Sequence, residues 1–410
     1  MVRIILVTAL AITGGLLIHK SAATAEDATT PERLPELPTQ LPESSLGNMS
    51  LPLDEQRERP LTLVPEIQNH LSRFIRDKGS PIAAVVIADV KTGRILALTQ
   101  GRSPERWGGQ THTALHAGFP AASLFKTTVT AAAFEFADVN SSAPIGLVGG
   151  CSHVHPTGMW MREDKRQGPN AMTLKRAYGH SCNGFFAKLA INRVGLGPIL
   201  TMARRLGWDA VPPHLADFKV PPSPLHPPNA ETSSAYTVGR FAAGFGSVGL
   251  SPVHAIWQSL IVANDGVAYP LSIFVDTPSP QESGPSLRVM TPETALKIRQ
   301  VMDATVLGGT ASGTFRNPRY ARLRRGFGGK TGTLTGTNPE GLTTWFTGIY
   351  PLDHPEVVVS SVVILEDLWL IKATTLAAEA VAAYFDYKHS GDPITTAQVG
   401  PKRKFSRLNR

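Results

Sequence analysis

Three short patterns bring together residue types able to attack a carbonyl group. In "PAASLFKTTVTAAAFEF", Ser123 stands three residues before Lys126. In "GHSCNGFFAKLA", Ser181 and Asn183 stand two apart, and "GGKTGT" carries Lys330, Thr331, Gly332 and Thr333. Residues at i and i+3 share one face of a helix, and Pro120, Ala121 and Ala122 ahead of Ser123 fit a helix's opening turn. There the positive end of the helix dipole favours negative charge developing on the serine oxygen. A lysine is a base only when neutral, and at pH 7 an ordinary lysine with a pKa near 10.4 needs about 4.6 kcal/mol to reach that form. Burial and a second cation lower this cost. The chemistry therefore calls for a buried Ser123 and Lys126 pair with another lysine, such as Lys330, beside it.

Each pattern alone is weak, since a chain of 410 residues shows roughly one or two Ser-x-x-Lys matches by chance. Ser123 is the sole such match here, and Ser181 the sole match to Ser-x-Asn. Weight comes from their order and from the elements that carry them: helix, loop and strand. Lys-Thr-Gly also occurs at Lys91, Thr92 and Gly93, in "VIADVKTGRILAL". Two β-rich runs, 82–90 and 94–99, flank that copy, so it reads as the turn of a hairpin.

The elements that must position these residues follow from periodicity. Val64, Ile67, Leu71 and Ile75 keep a helical spacing in "LTLVPEIQNHLSRFIRDKG". From about 120 to 320 the pattern is mainly helical, broken by a Gly-, Pro- and His-rich stretch at 141–170 and a Pro-rich one at 211–230. Ser251 and Pro252 suit the N-cap and first position of a helix over 251–264. Strand-like runs return at 343–351 and 356–367, and an Ala-rich helix closes the pattern at 372–387. No repeat of fixed period is visible. Hairpin, long helical insert, strands and closing helix predict an α/β (α+β) fold: a mainly antiparallel sheet flanked by helices, with a large all-helical subdomain.

Composition sets the frame. With 42% hydrophobic and 18% charged residues the chain can bury a sizeable core. The formal charge of +8 is spread widely apart from a basic end, "PKRKFSRLNR", which reads as a solvated tail, and no nucleic-acid motif is present. Arg3 precedes an apolar run from Ile4 to Ile18, and Ala23, Thr24 and Ala25 resemble a signal-peptidase site. That run is shorter than the about 20 residues of a membrane span, while His19 and Lys20 sit awkwardly before the cut. Residues 1–25 are thus expected to be a signal peptide or membrane anchor, and 26–60 an extended Pro-rich linker. Cys151 and Cys182 suit an exported protein; two free thiols are the favoured reading over a disulfide.

Taken together, these segments resemble the penicillin-binding transpeptidase domain of the penicillin-recognising serine enzymes, a superfamily defined by Ser-x-x-Lys, Ser-x-Asn and Lys-Thr-Gly sets. "LTLVPEIQNHL" is similar to the helix that opens such domains and "VIADVKTGRILAL" to their first hairpin. "GFGSVGLSPVHAIWQSLIVANDG" and "VMDATVLGGTASGT" resemble the segments leading into the third motif, and "TTWFTGIYP" the strand after it. The likeness covers about 60–388, giving a domain at 61–388 and a basic tail at 389–410. It implies a β-lactamase/transpeptidase-like fold and a serine D,D-transpeptidase that cross-links peptidoglycan stem peptides through an acyl-enzyme and is acylated by β-lactams. Ser123 would be the nucleophile, Lys126 its base and Ser181 a proton relay. Asn183 would bind the substrate backbone, while Lys330, Thr331 and Thr333 would hold the terminal carboxylate. Backbone N–H groups of Ser123 and Thr333 would form the oxyanion hole, and Gly332 would let substrate lie close to the strand. No metal and no cofactor are implied. An exported protein at the periplasmic or extracytoplasmic face of the membrane, membrane-associated, is expected. The chain departs from the family in having Cys182 inside the second motif, expected to be a buried thiol pointing away, and it is expected to be class B-like without the N-terminal pedestal domain.

Rival readings stay on the same scaffold. A class A β-lactamase needs a glutamate for its water, yet Glu231, Glu282 and Glu293 are followed at +4 by Ala235, Ser286 and Lys297 rather than asparagine. Class D enzymes carry valine where this chain has Asn183. A D,D-carboxypeptidase differs only in accepting water, and a slow sensor of β-lactams or wall fragments would keep all five polar residues. His112, His116, His153 and His155 read as exposed loop histidines rather than a metal site. Trp345 and Phe346 could wall the cleft, with one of them in the core. The 211–230 stretch is expected to be a solvated connection.

Overall fold

Runs of Val, Ile and Ala pair into an antiparallel sheet whose two faces are buried by different helices. The computed structural model describes residues 41, 49–54, 57–80, 82–101, 112–151, 154–156, 158–161, 171–210, 217–246, 248–279, 286–337, 339–365 and 371–390. In chain order the elements are β1 (Ser50–Asp54), β2 (Arg57–Pro60), α1 (Pro65–Asp77), β3 (Ala83–Asp89), β4 (Ile95–Gln100), β5 (Phe119–Pro120), α2 (Phe125–Phe136), α3 (Leu174–Gly179), α4 (Asn183–Leu189), α5 (Leu196–Arg205) and α6 (Ala235–Ala242). There follow β6 (Gly249–Leu250), α7 (Pro252–Ala263), β7 (Val267–Ala268), β8 (Leu287–Arg288), α8 (Pro292–Leu307), α9 (Ser312–Arg316), β9 (Gly328–Thr337), β10 (Glu340–Tyr350), β11 (Val357–Leu365) and α10 (Ala373–His389).

The main sheet runs β4-β3-β11-β10-β9, antiparallel at every step. Side chains alternate across it. Ala83, Val85 and Ile87 pack with Ile67, Leu71 and Ile75 of α1 and the small face of α10, whereas Ala84, Val86 and Ala88 join the larger core with α7. Burying each of those α1 aliphatics contributes about 1.5–3 kcal/mol. Lys91, Thr92 and Gly93 form the turn between β3 and β4, where the Asp89 carboxylate accepts from the Thr92 N–H (2.7 Å) and O–H (2.6 Å). The edge of β4 is covered: the Gln68 amide donates to the Leu98 carbonyl (2.8 Å) and accepts from the Leu98 N–H (2.9 Å), which blunts an open strand edge. On the α10 side the buried Glu379 carboxylate accepts from Arg319 (2.7 Å) and Tyr320 (2.7 Å) and meets His70 (2.5 Å). Burial alone would raise its pKa, but those partners outweigh it and hold the carboxyl down at about 2.

The segment between β5 and β9 is mainly helical rather than all-helical, because the short strands β6, β7 and β8 fall within it. Within it, α7 packs on the main sheet and is buried along its whole length, with Ser251 as N-cap accepting from the His254 N–H (3.1 Å) and Pro252 at its first turn. Two further expectations need correction. Ser50–Asp54 and Arg57–Pro60 are not extended linker but the paired strands β1 and β2, tied to the domain by Arg59 on Asp276 (3.0 Å) and over the Phe274 ring (3.9 Å). The Pro-rich connection is packed rather than solvated over 217–225, where Phe218, Val220 and Leu225 are buried and Asp217 accepts from the Ile273 and Phe274 N–H groups (2.6 and 3.1 Å), while 226–230 is largely exposed as expected. Of the remaining readings, the 1–25 leader, residues 26–40, the tail beyond 390, 211–216 and His153 lie outside the described residues. No helix among the described residues is long and apolar enough to cross a membrane.

Candidate active site

The short strand β5, paired with β6, delivers the chain into a tight turn at Ala122–Leu124 that runs directly into α2. Ala122 holds φ +50°, a backbone conformation tolerated where surrounding structure over-determines it. Gly244 supplies that constraint: a Cβ there would lie 2.0 Å from the Ala122 carbonyl oxygen, so only glycine lets the two segments meet. Ser123, next in sequence, is partly exposed, and Lys126 one turn on is fully buried.

The buried ammonium nitrogen organises the site. Lys126 Nζ stands 2.6 Å from Ser123 Oγ, donates to Asn183 Oδ1 at 2.7 Å and lies 3.4 Å from Ser181 Oγ. Lys330 Nζ donates to Ser181 Oγ and to the Thr331 carbonyl, both at 2.9 Å, and stands 5.6 Å from the centre of the Tyr178 ring. Burial, followed by the positive charge of Lys330, pushes the pKa of Lys126 well below its ordinary value. Burial likewise lowers Lys330, to about 7. Both shifts are in the direction that supplies a free amine next to a serine hydroxyl.

Ser181 and Asn183 reach this point because α3 ends at Gly179 and α4 starts at Asn183. Between them Ser181 takes φ +55°, and Cys182 is the N-cap residue of α4. The cysteine does point away and is buried, but it is not a thiol: it forms a disulfide with Cys151, Cα to Cα 4.6 Å. The favoured reading of two free thiols is therefore wrong, because the fold brings the 145–151 loop onto α4. There Lys188 also donates to the Gly146 carbonyl (3.1 Å), and the Gly184 N–H to the Cys151 carbonyl (2.9 Å).

On β9, an edge strand, Lys330 is buried, Thr331 partly exposed and Thr333 exposed. The space a Cβ would take at Gly332 lies 3.2 Å from Trp345 Cβ and 3.3 Å from the Ala121 carbonyl, so this glycine first serves the approach of the serine-bearing turn. Trp345 and Phe346 are both core residues. Trp345 braces the turn by donating to the Pro120 carbonyl (2.9 Å), while Phe346 packs on the opposite face against Phe327. His112 is buried rather than exposed, with its pKa lowered by burial to about 4; no cluster of potential metal ligands occurs among the described residues. Two contacts escaped the sequence reading: Tyr178, whose hydroxyl meets Thr127 (2.9 Å) beneath Lys330, and Thr310, whose hydroxyl meets that of Thr331 (2.5 Å).

A family model for the penicillin binding protein transpeptidase domain matches residues 83–384, which takes in all three motifs. The chain belongs to this family. Solved structures of similar fold include PBPA from Mycobacterium tuberculosis, at 21% identity over 80% of this chain and 82% of that one, with a TM-score of 0.61. Another is its ceftriaxone acyl-enzyme complex, at 22% identity over 80% and 78%, with a TM-score of 0.62. The D,D-transpeptidase domain of a peptidoglycan glycosyltransferase from Eggerthella lenta aligns at 18% identity over 83% and 90%, with a TM-score of 0.64. No curated protein matches. The β3–β4 hairpin, the helical insert and β9 of this transpeptidase-family domain all lie within the matched residues.

Proposed function

We propose that this protein is an exported serine D,D-transpeptidase that joins peptidoglycan stem peptides, with Ser123 as the acylated residue. The observation that carries the reading is Lys126 Nζ at 2.6 Å from Ser123 Oγ, in a buried cluster with a second lysine 2.9 Å from Ser181. Neutral Lys126 takes the Ser123 proton as Oγ bonds to the carbonyl carbon of the penultimate D-Ala. The resulting oxyanion is held by the Ser123 and Thr333 N–H groups, a device worth several kcal/mol in acyl transfer. As the C–N bond breaks, Ser181 gives its proton to the leaving D-Ala nitrogen and takes back from Lys126 the proton that came from Ser123. An amine of a neighbouring stem peptide then attacks the ester, returning the proton to Ser123. Asn183 positions the substrate backbone, and Lys330, Thr331 and Thr333 receive the terminal carboxylate. A β-lactam acylates the same oxygen. Acyl-enzyme structures of the M. tuberculosis homologue with ceftriaxone, imipenem and penicillin G support that step by analogy. Family membership likewise supports an extracytoplasmic site of action.

Intact mass after brief exposure to penicillin, followed over hours with Ser123→Ala as control, tests the reading. A persistent single adduct, absent in the variant, is expected. No adduct with the antibiotic untouched sinks the catalytic reading, and no adduct with the antibiotic consumed makes this a β-lactamase. With a D-Ala-D-Ala peptide and an amine acceptor, a cross-linked product is expected. Release of D-Ala without cross-linking indicates a carboxypeptidase, and no turnover a sensor.

A further inference from the structure

The loop between α8 and α9 touches Gly179, two residues before Ser181, and Thr331 of the third motif. Gly309 packs so tightly that a Cβ would sit 2.1 Å from the Gly179 carbonyl oxygen, and the Thr310 N–H donates to that same oxygen at 3.0 Å. Thr310 is thereby fastened to the residue that ends α3, two positions before Ser181. Thr310 is an exposed residue, and its hydroxyl lies 2.5 Å from Thr331 Oγ and 3.3 Å from the Gly179 oxygen.

Two hydroxyls in contact have two protons to place. If Thr331 donates to Thr310, the Thr310 proton turns to Gly179 and the Thr331 proton is spent inside the protein. If Thr310 donates to Thr331 Oγ, the Thr331 O–H is free for an outside acceptor. An anion arriving beside Lys330 favours the second arrangement, because a charge-assisted hydrogen bond is stronger than the neutral one it replaces. We propose that Thr310 is a positioning residue for the substrate's terminal carboxylate, donating to Thr331 Oγ so that the Thr331 hydroxyl points at the carboxylate oxygen. This rests on the transpeptidase reading above. It adds a fourth segment to the recognition site, one that acts only on substrates with a free carboxylate.

The test compares Thr310→Val, which keeps the shape, with Thr310→Ser, which keeps the hydroxyl. The readouts are the acylation rate constant for a penicillin and for its methyl ester, with thermal unfolding as a check on folding. Thr310→Val is expected to lower the ratio of free-acid to ester rates about tenfold, the scale of one hydrogen bond to a charged group. Thr310→Ser should restore the ratio. Adding Thr310→Val to Thr331→Val should change nothing further. Equal losses for acid and ester would mean a merely structural role and overturn the proposal, as would a Thr310→Val protein with the wild-type ratio. A wild-type protein that forms no acyl adduct at all overturns the transpeptidase reading itself, and this one with it.

Discussion

Replacing Lys330 by methionine should make the protein more stable and inactive at once. Burial has moved this lysine from 10.5 to about 7. At 1.36 kcal/mol per pKa unit, the folded state holds the charged form at a disadvantage of about 5 kcal/mol. Between those two values the unfolded chain binds the proton and the folded chain does not. The penalty is therefore complete below pH 7, shrinks to about 2 kcal/mol at pH 9, and vanishes above the unfolded value. Methionine keeps the bulk and removes the charge, at the loss of hydrogen bonds to Ser181 and the Thr331 carbonyl, about 1 kcal/mol each. The expected net gain is about 3 kcal/mol at pH 6 and close to zero at pH 9. Relief of the like charge on Lys126 acts in the same direction. Urea unfolding followed by tryptophan fluorescence, at both pH values, measures it. A gain independent of pH, or a loss at pH 6, would refute the argument that burial disfavours this charge.

Other expectations follow from the same geometry. Since the cationic form of Lys330 is the one that attracts a carboxylate, kcat/KM for penicillin acylation should fall as pH rises through about 7; a profile flat to pH 9 counts against that role. Gly244→Ala places a Cβ 2.0 Å from the Ala122 carbonyl at a φ of +91°, so it should destabilise the fold by several kcal/mol and abolish penicillin labelling. Normal labelling with an unchanged melting temperature would contradict the packing described. Glu379→Gln should cost about 3 kcal/mol at pH 7, the low end for breaking a buried pair because half-exposed Arg319 can rehydrate. Because the Glu379 carboxyl is held at about 2, below its ordinary 4.5, its contribution is present above pH 4.5 and is lost as pH falls through 2. The gap between wild type and variant in urea unfolding should therefore narrow between those values, and a constant gap would exclude an ionic origin.

The sheet and its helices were readable because Val- and Ala-rich strands and the Ile67, Leu71, Ile75 stripe are buried on faces that local periodicity reveals. The β1–β2 pair was not, since Pro52, Pro60 and the charged residues between them mask alternation, and its anchor is Arg59 on a segment over two hundred residues away. Ser123, Lys126, Ser181, Asn183 and Lys330 announced themselves by residue type and order, and the fold places them in one hydrogen-bonded cluster. Thr310 carried no such signal: its importance lies in a contact across 21 positions with Thr331. The disulfide was missed for a related reason, as spacing says nothing of how near two Cβ atoms come.

That disulfide gives the site a history. One half of the cystine sits between Ser181 and Asn183, and the other lies 31 residues earlier, in the loop that clasps α4. In a reduced chain the second motif would be held only by the burial of Cys182 in the larger core and by hydrogen bonds such as that from the Gly184 N–H to the Cys151 carbonyl. Oxidation would add the covalent restraint, in the kind of compartment where disulfides persist, outside the cytosol. Full competence for acylation would then be acquired on delivery; penicillin labelling of reduced and oxidised protein reads that directly.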